Sequence, residues 1–164
     1  FTEVSIDDVM AAAGLTRGGF YNHFKTKEDL YVETLAVYAA ERREETPNDL
    51  SACGPDIARE MLNRYISRQH LDNVDGHCPL MALPSDVARA GPNVRAAYQG
   101  VLEVMVQLFE GCLEAEHGMS VRQRGLAMAA TCVGAMVLSR TIDDANFADE
   151  ICEVAQKFAA DGMV

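Results

Sequence analysis

The sequence predicts an all-α protein. Three observations carry that expectation. Apolar residues recur at three- and four-residue spacing along most of the chain. Ser, Thr, Gly and Pro fall where those runs begin and end. No strand-like pattern exceeds four residues, and no internal repeat is present.

The first helix is expected from Ile6 to Ala13. Ser5 caps it, Asp8 stands in the capping-box position, and Gly14 stops it. Thr16 caps a second short helix, Arg17 to Phe24. Thr26 caps a third, with Asp29 as its reciprocal partner. That helix runs to Glu45 on a stripe of Leu30, Thr34, Leu35, Val37, Tyr38 and Glu41. Pro47, Asn48, Gly54 and Pro55 mark a connection. The chain accordingly divides into an N-terminal unit, 1–45, and a second unit, 46–164.

Ile57, Met61, Leu62, Tyr65 and Ile66 define a fourth helix ending near His70, and Asp72 to Pro79 reads as a loop. A helix from Leu80 to Ala90 has to place Pro84 in its first turn or be interrupted there. Gly91-Pro92 is a break. A long helix from Asn93 to Glu116 then carries Val94, Tyr98, Val101, Leu102, Met105, Leu108, Phe109, Cys112 and Leu113. Gly118 stops it and Ser120 starts the next, which reaches Thr141. Leu126 to Leu138 is apolar nearly all round, which predicts burial on most sides. The last helix, Asn146 to Ala160, places Phe147, Ile151, Val154, Ala155 and Phe158 on one face.

A chain of 164 residues is one domain of ordinary size, or a small module joined to a larger one. With 49% apolar and 24% charged residues it is neither disordered nor of low complexity. The longest uncharged run, Gly125 to Ser139, has 15 residues, and a membrane-spanning helix needs about 20. No membrane partner is expected, and without a secretory leader the expected address is cytoplasmic. The chain starts at Phe1, and a further N-terminal piece is expected ahead of it. Five cysteines, none in a C-x-x-C pair, read as reduced thiols, with Cys112, Cys132 and Cys152 as small core residues.

The net charge of −11 argues against non-specific binding to nucleic acid, but its distribution is uneven. Residues 1–27 sum to zero, and residues 28–164 hold 22 acids against 11 bases. Within 16–27 there are three bases and no acid. A small basic segment therefore sits at one end of an acidic body.

That segment also carries a pattern. Two short helices are joined by a tight turn beginning at a glycine, S-I-D-D-V-M-A-A-A-G-L-T-R-G-G-F-Y-N-H-F. Ile6, Val9, Met10, Leu15, Phe20 and Phe24 form the inward apolar set. Thr16, Arg17, Gly18, Tyr21, Asn22 and His23 face outward with hydrogen-bonding groups and no negative charge. This is the layout of a helix-turn-helix, whose second helix enters the major groove of DNA. Two glycines in that helix each cost about 1 kcal/mol of propensity relative to alanine, which a close approach of backbone to a ligand explains.

The stretch from Phe1 to Leu30, with S-I-D-D-V-M-A-A-A-G-L-T-R-G-G-F-Y-N-H-F-K-T-K-E-D-L, resembles the TetR/AcrR transcriptional regulators almost position for position. It covers about a fifth of the chain; the remainder fits in its helical architecture. The G-H-C-P-L-M-A segment at 76–82 and the following V-R-A-A-Y are more weakly similar to some of the family's regulatory domains. The resemblance implies a three-helix DNA-binding domain followed by a ligand-binding and dimerisation domain. The family's first helix would precede Phe1.

Roles follow from chemistry and position. Arg17 is suited to a bidentate contact with guanine, and Asn22 to one with adenine. Tyr21, His23, Lys25, Thr26 and Lys27 are assigned to phosphates. The helix N-termini at Ser5 and Thr16 offer further N–H groups. Simpler readings exist: Tyr21 as a half-buried aromatic, His23 as a surface or capping residue. His70, Asp72, Asp75, His77 and Cys78 have metal-ligating side chains but no recurrent ligand spacing, and read as a solvated loop. No metal or cofactor is expected.

The expected function is a one-component regulator, a repressor released from double-stranded DNA by a small-molecule effector. One short recognition helix reads a palindromic operator only with a second copy, so a homodimer is expected, with contacts from Val133, Val137, Phe147, Ile151 and Phe158. The effector pocket is assigned to Met61, Tyr65, Cys78, Met81, Met105, Phe109 and Met128, with an apolar or aromatic compound favoured. The alternative is a helical interaction or small-molecule-binding module without DNA function. No G-x-S-x-G, H-E-x-x-H or phosphate-binding glycine loop points to an enzyme.

Overall fold

The computed structural model describes residues 4–44, 53–73, 76, 78–115 and 118–162. Among these residues the chain forms α1 (Ile6–Ala12), α2 (Arg17–Phe20), α3 (Lys27–Glu44), α4 (Pro55–Tyr65), α5 (Arg68–Asp72), α6 (Pro79–Ala82), α7 (Pro84–Arg89), α8 (Pro92–Glu110), α9 (Val121–Arg140) and α10 (Ala145–Asp161).

Helix starts follow from local chemistry. The Ser5 hydroxyl accepts the Asp8 N–H at 3.1 Å, and the Asp8 carboxylate accepts the Ser5 N–H at 2.8 Å. Thr26 and Asp29 exchange the same pair of bonds at 3.1 and 2.8 Å. Ser120 and Gln123 do so at 3.2 and 2.8 Å. Gly14 turns the chain after α1 at φ +69°, a left-handed conformation that favours glycine.

Several elements depart from the sequence expectation. The second helix is one turn long, and hydrogen-bonded turns carry the chain from Tyr21 to Phe24. Gly18 and Gly19 leave it too little helical preference to run further. The fourth helix breaks at Ile66, where the Ser67 hydroxyl accepts the His70 N–H at 3.1 Å and caps α5. Pro84 starts α7, so the expected 80–90 helix is two short ones. The long helix α8 ends at Gly111, six residues early. On α3 the buried stripe is Tyr31, Leu35 and Ala39, one position round from the expected one; Thr34, Val37 and Glu41 are exposed.

Helix α3 packs along α8, α8 along α9, and α9 along α10. One core runs through them, centred on Leu35, Leu62, Ile66, Val106, Phe109, Cys132 and Met136. The buried Arg124 joins the ends of this stack. Its guanidinium donates to the carbonyl of Glu114, ahead of α9, and at 2.7 Å to that of Gly162, after α10. On the surface Arg122 bridges α9 to α8 through Glu103 at 2.6 Å and Glu110 at 3.3 Å.

The expectation of reduced thiols is corrected in part. Cys53 and Cys112 are joined in a disulfide, with Cα atoms 4.7 Å apart, which ties the segment before α4 to the end of α8. Cys78, Cys132 and Cys152 are free and buried. Burial pushes the Cys132 thiol up to about 12.

Burial of α9 on most sides is also corrected. Leu126, Ala127, Ala130 and Leu138 are exposed, with Val133, Gly134 and Val137 half-buried beside them. On α10 Phe147, Val154 and Phe158 are exposed, Phe158 by 74%. The two helices therefore present adjoining apolar stripes that this chain alone leaves uncovered.

Candidate nucleic-acid interface and effector cavity

The N-terminal unit is held together by a small apolar cluster. Met10 of α1 and Phe20 of α2 are buried, with Ile6, Val9 and Phe24 half-buried around them. The Phe20 and Phe24 rings lie 5.5 Å apart. Leu15 does not join this set: it is 60% exposed, because the Gly14 turn spends its N–H on the Met10 carbonyl and aims its side chain outward.

Over this cluster the segment from Thr16 to Lys25 presents its polar residues. Thr16, Arg17, Gly18, Tyr21, Asn22, His23, Lys25 and Thr26 are all exposed. The Tyr21 ring stands edge-on against Phe20 at 5.2 Å, which fixes its base while 52% of the residue stays open. The Thr16 hydroxyl accepts the Gly19 N–H at 3.4 Å and holds the turn of α2. A Cβ at Gly18 would meet nothing nearer than the Thr16 hydroxyl at 3.9 Å. The fold itself therefore makes no demand for glycine at that position.

Several assigned residues are engaged within the chain. Arg17 pairs with Asp7 at 2.8 Å. Contacts with the Tyr21 hydroxyl first, and then with Asp7, raise its pKa. Ser5 spends its N–H on Asp8, whose own pKa is lowered chiefly by the Ser5 hydroxyl. The Lys27 ammonium donates back to the Val4 carbonyl, and its side chain is half-buried. Lys25 is the exposed lysine of the segment.

A direct contact joins this unit to the helical body. Glu28, in the first turn of α3, accepts the Gly91 N–H at 3.3 Å, at the start of α8. A Cβ on Gly91 would come within 3.0 Å of that carboxylate.

A cavity of about 470 Å³ opens between α3, α4, α5 and α8, within the size range of small-molecule sites. Met61, Tyr65, Cys78, Met105 and Phe109 line it. Met81 and Met128 are buried elsewhere. On the single turn of α6 it is Leu80 that faces the cavity, and Met128 packs towards Gly162 at the end of α10. Arg42, Arg64 and His70 also line it. The sequence assigned neither arginine and read His70 with a solvated loop, although Arg42 follows Tyr38 by four residues and Arg64 follows Met61 by three, so each shares a face with an apolar wall residue. Asp75 and His77 lie outside the described residues.

The Tyr65 hydroxyl is buried, with the Cys78 thiol as its polar neighbour among the described residues. Burial, with the Cys78 thiol next in effect, raises its pKa. The His70 ring donates from Nδ1 to the Tyr65 carbonyl at 2.7 Å and meets the Tyr65 ring edge-on at 4.7 Å.

A glycine-turned pair of short helices on a helical body with its own cavity is the architecture of DNA-binding regulators that carry their own sensor. Residues 1–34 match the family model described as "Bacterial regulatory proteins, tetR family". The whole chain is similar to the crystal structure of the reduced form of E. coli NemR, with a TM-score of 0.73 and 19% identity over 96% of this chain and 85% of that one. At that identity the likeness is one of fold. No curated protein matches the sequence. The N-terminal segment therefore resembles the tetR family of regulatory proteins, and the chain shares the fold of the NemR structure. No helix among the described residues is long and apolar enough to cross a membrane.

Proposed function

We propose that the chain is an operator-binding repressor, acting in the cytoplasm as a homodimer and released from DNA by a small molecule in the cavity. The observation that carries this reading is the outward face of residues 16–25. Its side chains are exposed, it bears no acid, and it rests on the Met10–Phe20–Phe24 cluster. Gly18 strengthens the reading, since nothing inside the protein needs it and a phosphate or base edge against the backbone would.

The dimer reading rests on the open stripes of α9 and α10. Val133, Val137, Phe147, Ile151 and Phe158 all lie on them, together with Leu126, Leu138 and Val154. A two-fold pairing of these helices gives a four-helix interface and brings two recognition turns to one duplex.

Helix α3 supports the coupling between the two sites. It starts at Lys27, directly after the recognition segment, and carries Tyr38 and Arg42 to the cavity wall. Its 18 residues span about 27 Å as one rigid element. A ligand that prefers one position of α3 over another shifts DNA affinity by that difference in its own affinity.

The test is a titration of labelled duplexes carrying inverted repeats from the DNA beside the gene, at several salt concentrations. Specific affinity should fall steeply with salt, and Lys25→Ala should flatten the slope by about one unit. A chain with no salt-dependent affinity for any duplex is not a repressor, and the module reading replaces this one.

A further inference from the structure

We infer that the cavity takes an amphipathic organic carboxylate: an apolar or aromatic body among the methionines, with its anionic head at Arg42 and Arg64. This rests on the reading of the cavity as the effector site and names the chemistry of its occupant.

Charge at the cavity runs against the charge of the protein. Acids outnumber bases 25 to 14 in the chain, yet no Asp or Glu among the described residues lines the cavity. Its charged lining is Arg42 and Arg64, with His70 beside them. The two arginines come from different helices, α3 and α4. Arg42 is already positioned, its guanidinium lying 5.4 Å from the centroid of the Tyr38 ring. A planar guanidinium matches a carboxylate with two parallel hydrogen bonds. Within an acidic molecule, such a site repels cations and favours an anion over a neutral compound of the same size.

Much of the remaining lining is apolar. Met61, Val104, Met105 and Phe109 surround a space that a chain or fused ring of about ten carbons fills. The Tyr65 side chain lines the same space, with its buried hydroxyl beside the Cys78 thiol. His70 commits Nδ1 to the Tyr65 carbonyl and keeps Nε2 for a ligand.

The experiment uses the full chain and two matched sets of probes: decanoate, decan-1-ol and decylamine, each below its micellar concentration, and 2-naphthoate, 2-naphthol and 2-naphthylmethylamine. Binding is followed by calorimetry and thermal shift. In at least one set the carboxylate should bind about tenfold tighter than its alcohol and its amine. Arg64→Gln and Arg42→Gln, folded by circular dichroism, should remove most of that preference and leave alcohol binding unchanged. An alcohol or amine that binds as well, no binding by either carboxylate, or a preference intact in both variants overturns the inference. Met105→Trp fills the cavity, and Met61→Trp does so from another helix. Binding that ignores charge but is lost in these variants overturns the carboxylate inference alone. Binding that survives both removes the cavity as the effector site.

Discussion

Arg17 Nη1 donates to Asp7 Oδ2 at 2.8 Å, across the turn that joins α1 to α2. Both side chains are more than half exposed, so the pair is weak and easily exchanged for a stronger partner. On the operator-binding reading proposed above, Asp7 competes with DNA for this arginine. Asp7→Asn should therefore raise affinity for operator and random duplex alike by severalfold. Arg17→Ala should lose about 1–3 kcal/mol of discrimination at one base pair in each half-site. Anisotropy titrations against single-base operator variants measure both. An equal loss on every sequence would make Arg17 a backbone contact.

Gly18 offers a separation of folding from binding. A methyl group there meets ordinary contacts only, and alanine gains about 1 kcal/mol of helix preference. Gly18→Ala should hold or raise the melting temperature and weaken operator binding by tenfold or more, about 1.4 kcal/mol. Unchanged binding would mean that no DNA atom approaches the backbone at this point.

The uncovered stripe of α9 and α10 predicts the assembly. Light scattering at micromolar concentration should give the mass of two chains. Phe158→Glu should yield monomers that keep their helical spectrum, since the residue is 74% exposed and supports nothing within its own chain. The same variant should lose operator affinity, because the two half-sites are then bound independently. A monomeric parent protein would remove the palindrome from the mechanism.

Thiol counting checks the sulfur pairing. Unfolded without reductant, the chain should show three reactive thiols, those of Cys78, Cys132 and Cys152. With reductant it should show five. Cys53→Ser should add Cys112 to the first count and lower stability by about 2–4 kcal/mol, as opening a long covalent loop does. Five thiols in both conditions would remove the bridge.

Local signals were the legible ones. Ser5 with Asp8, Thr26 with Asp29 and Ser120 with Gln123 each carry both halves of a cap within four residues, so the starts of α1, α3 and α9 could be read directly. Ser67 lay inside the expected fourth helix, and its role as the cap of α5 showed only with the break at Ile66. Cys53 and Cys112 stand 59 residues apart, a spacing with no periodicity to betray it. Arg42 and Arg64 reach the cavity although their charge marks them for solvent. Met81 and Met128 share the residue type of the true wall but not its orientation. At the recognition segment, composition and spacing named the exposed residues, while the Asp7 and Val4 partners needed three dimensions.

The Glu28–Gly91 hydrogen bond gives α8 the character of a see-saw. Met105, on the cavity wall, and Gly91, at the carboxylate, lie at opposite ends of about 21 Å of unbroken helix. On the effector reading proposed above, a guest that displaces one end displaces the other, and a 3.3 Å bond has little slack before it fails. Glu28 follows Lys27 and precedes Asp29, the residue that clasps the amides of Lys25 and Thr26. Swing at that end arrives one residue from the hinge of the reading head.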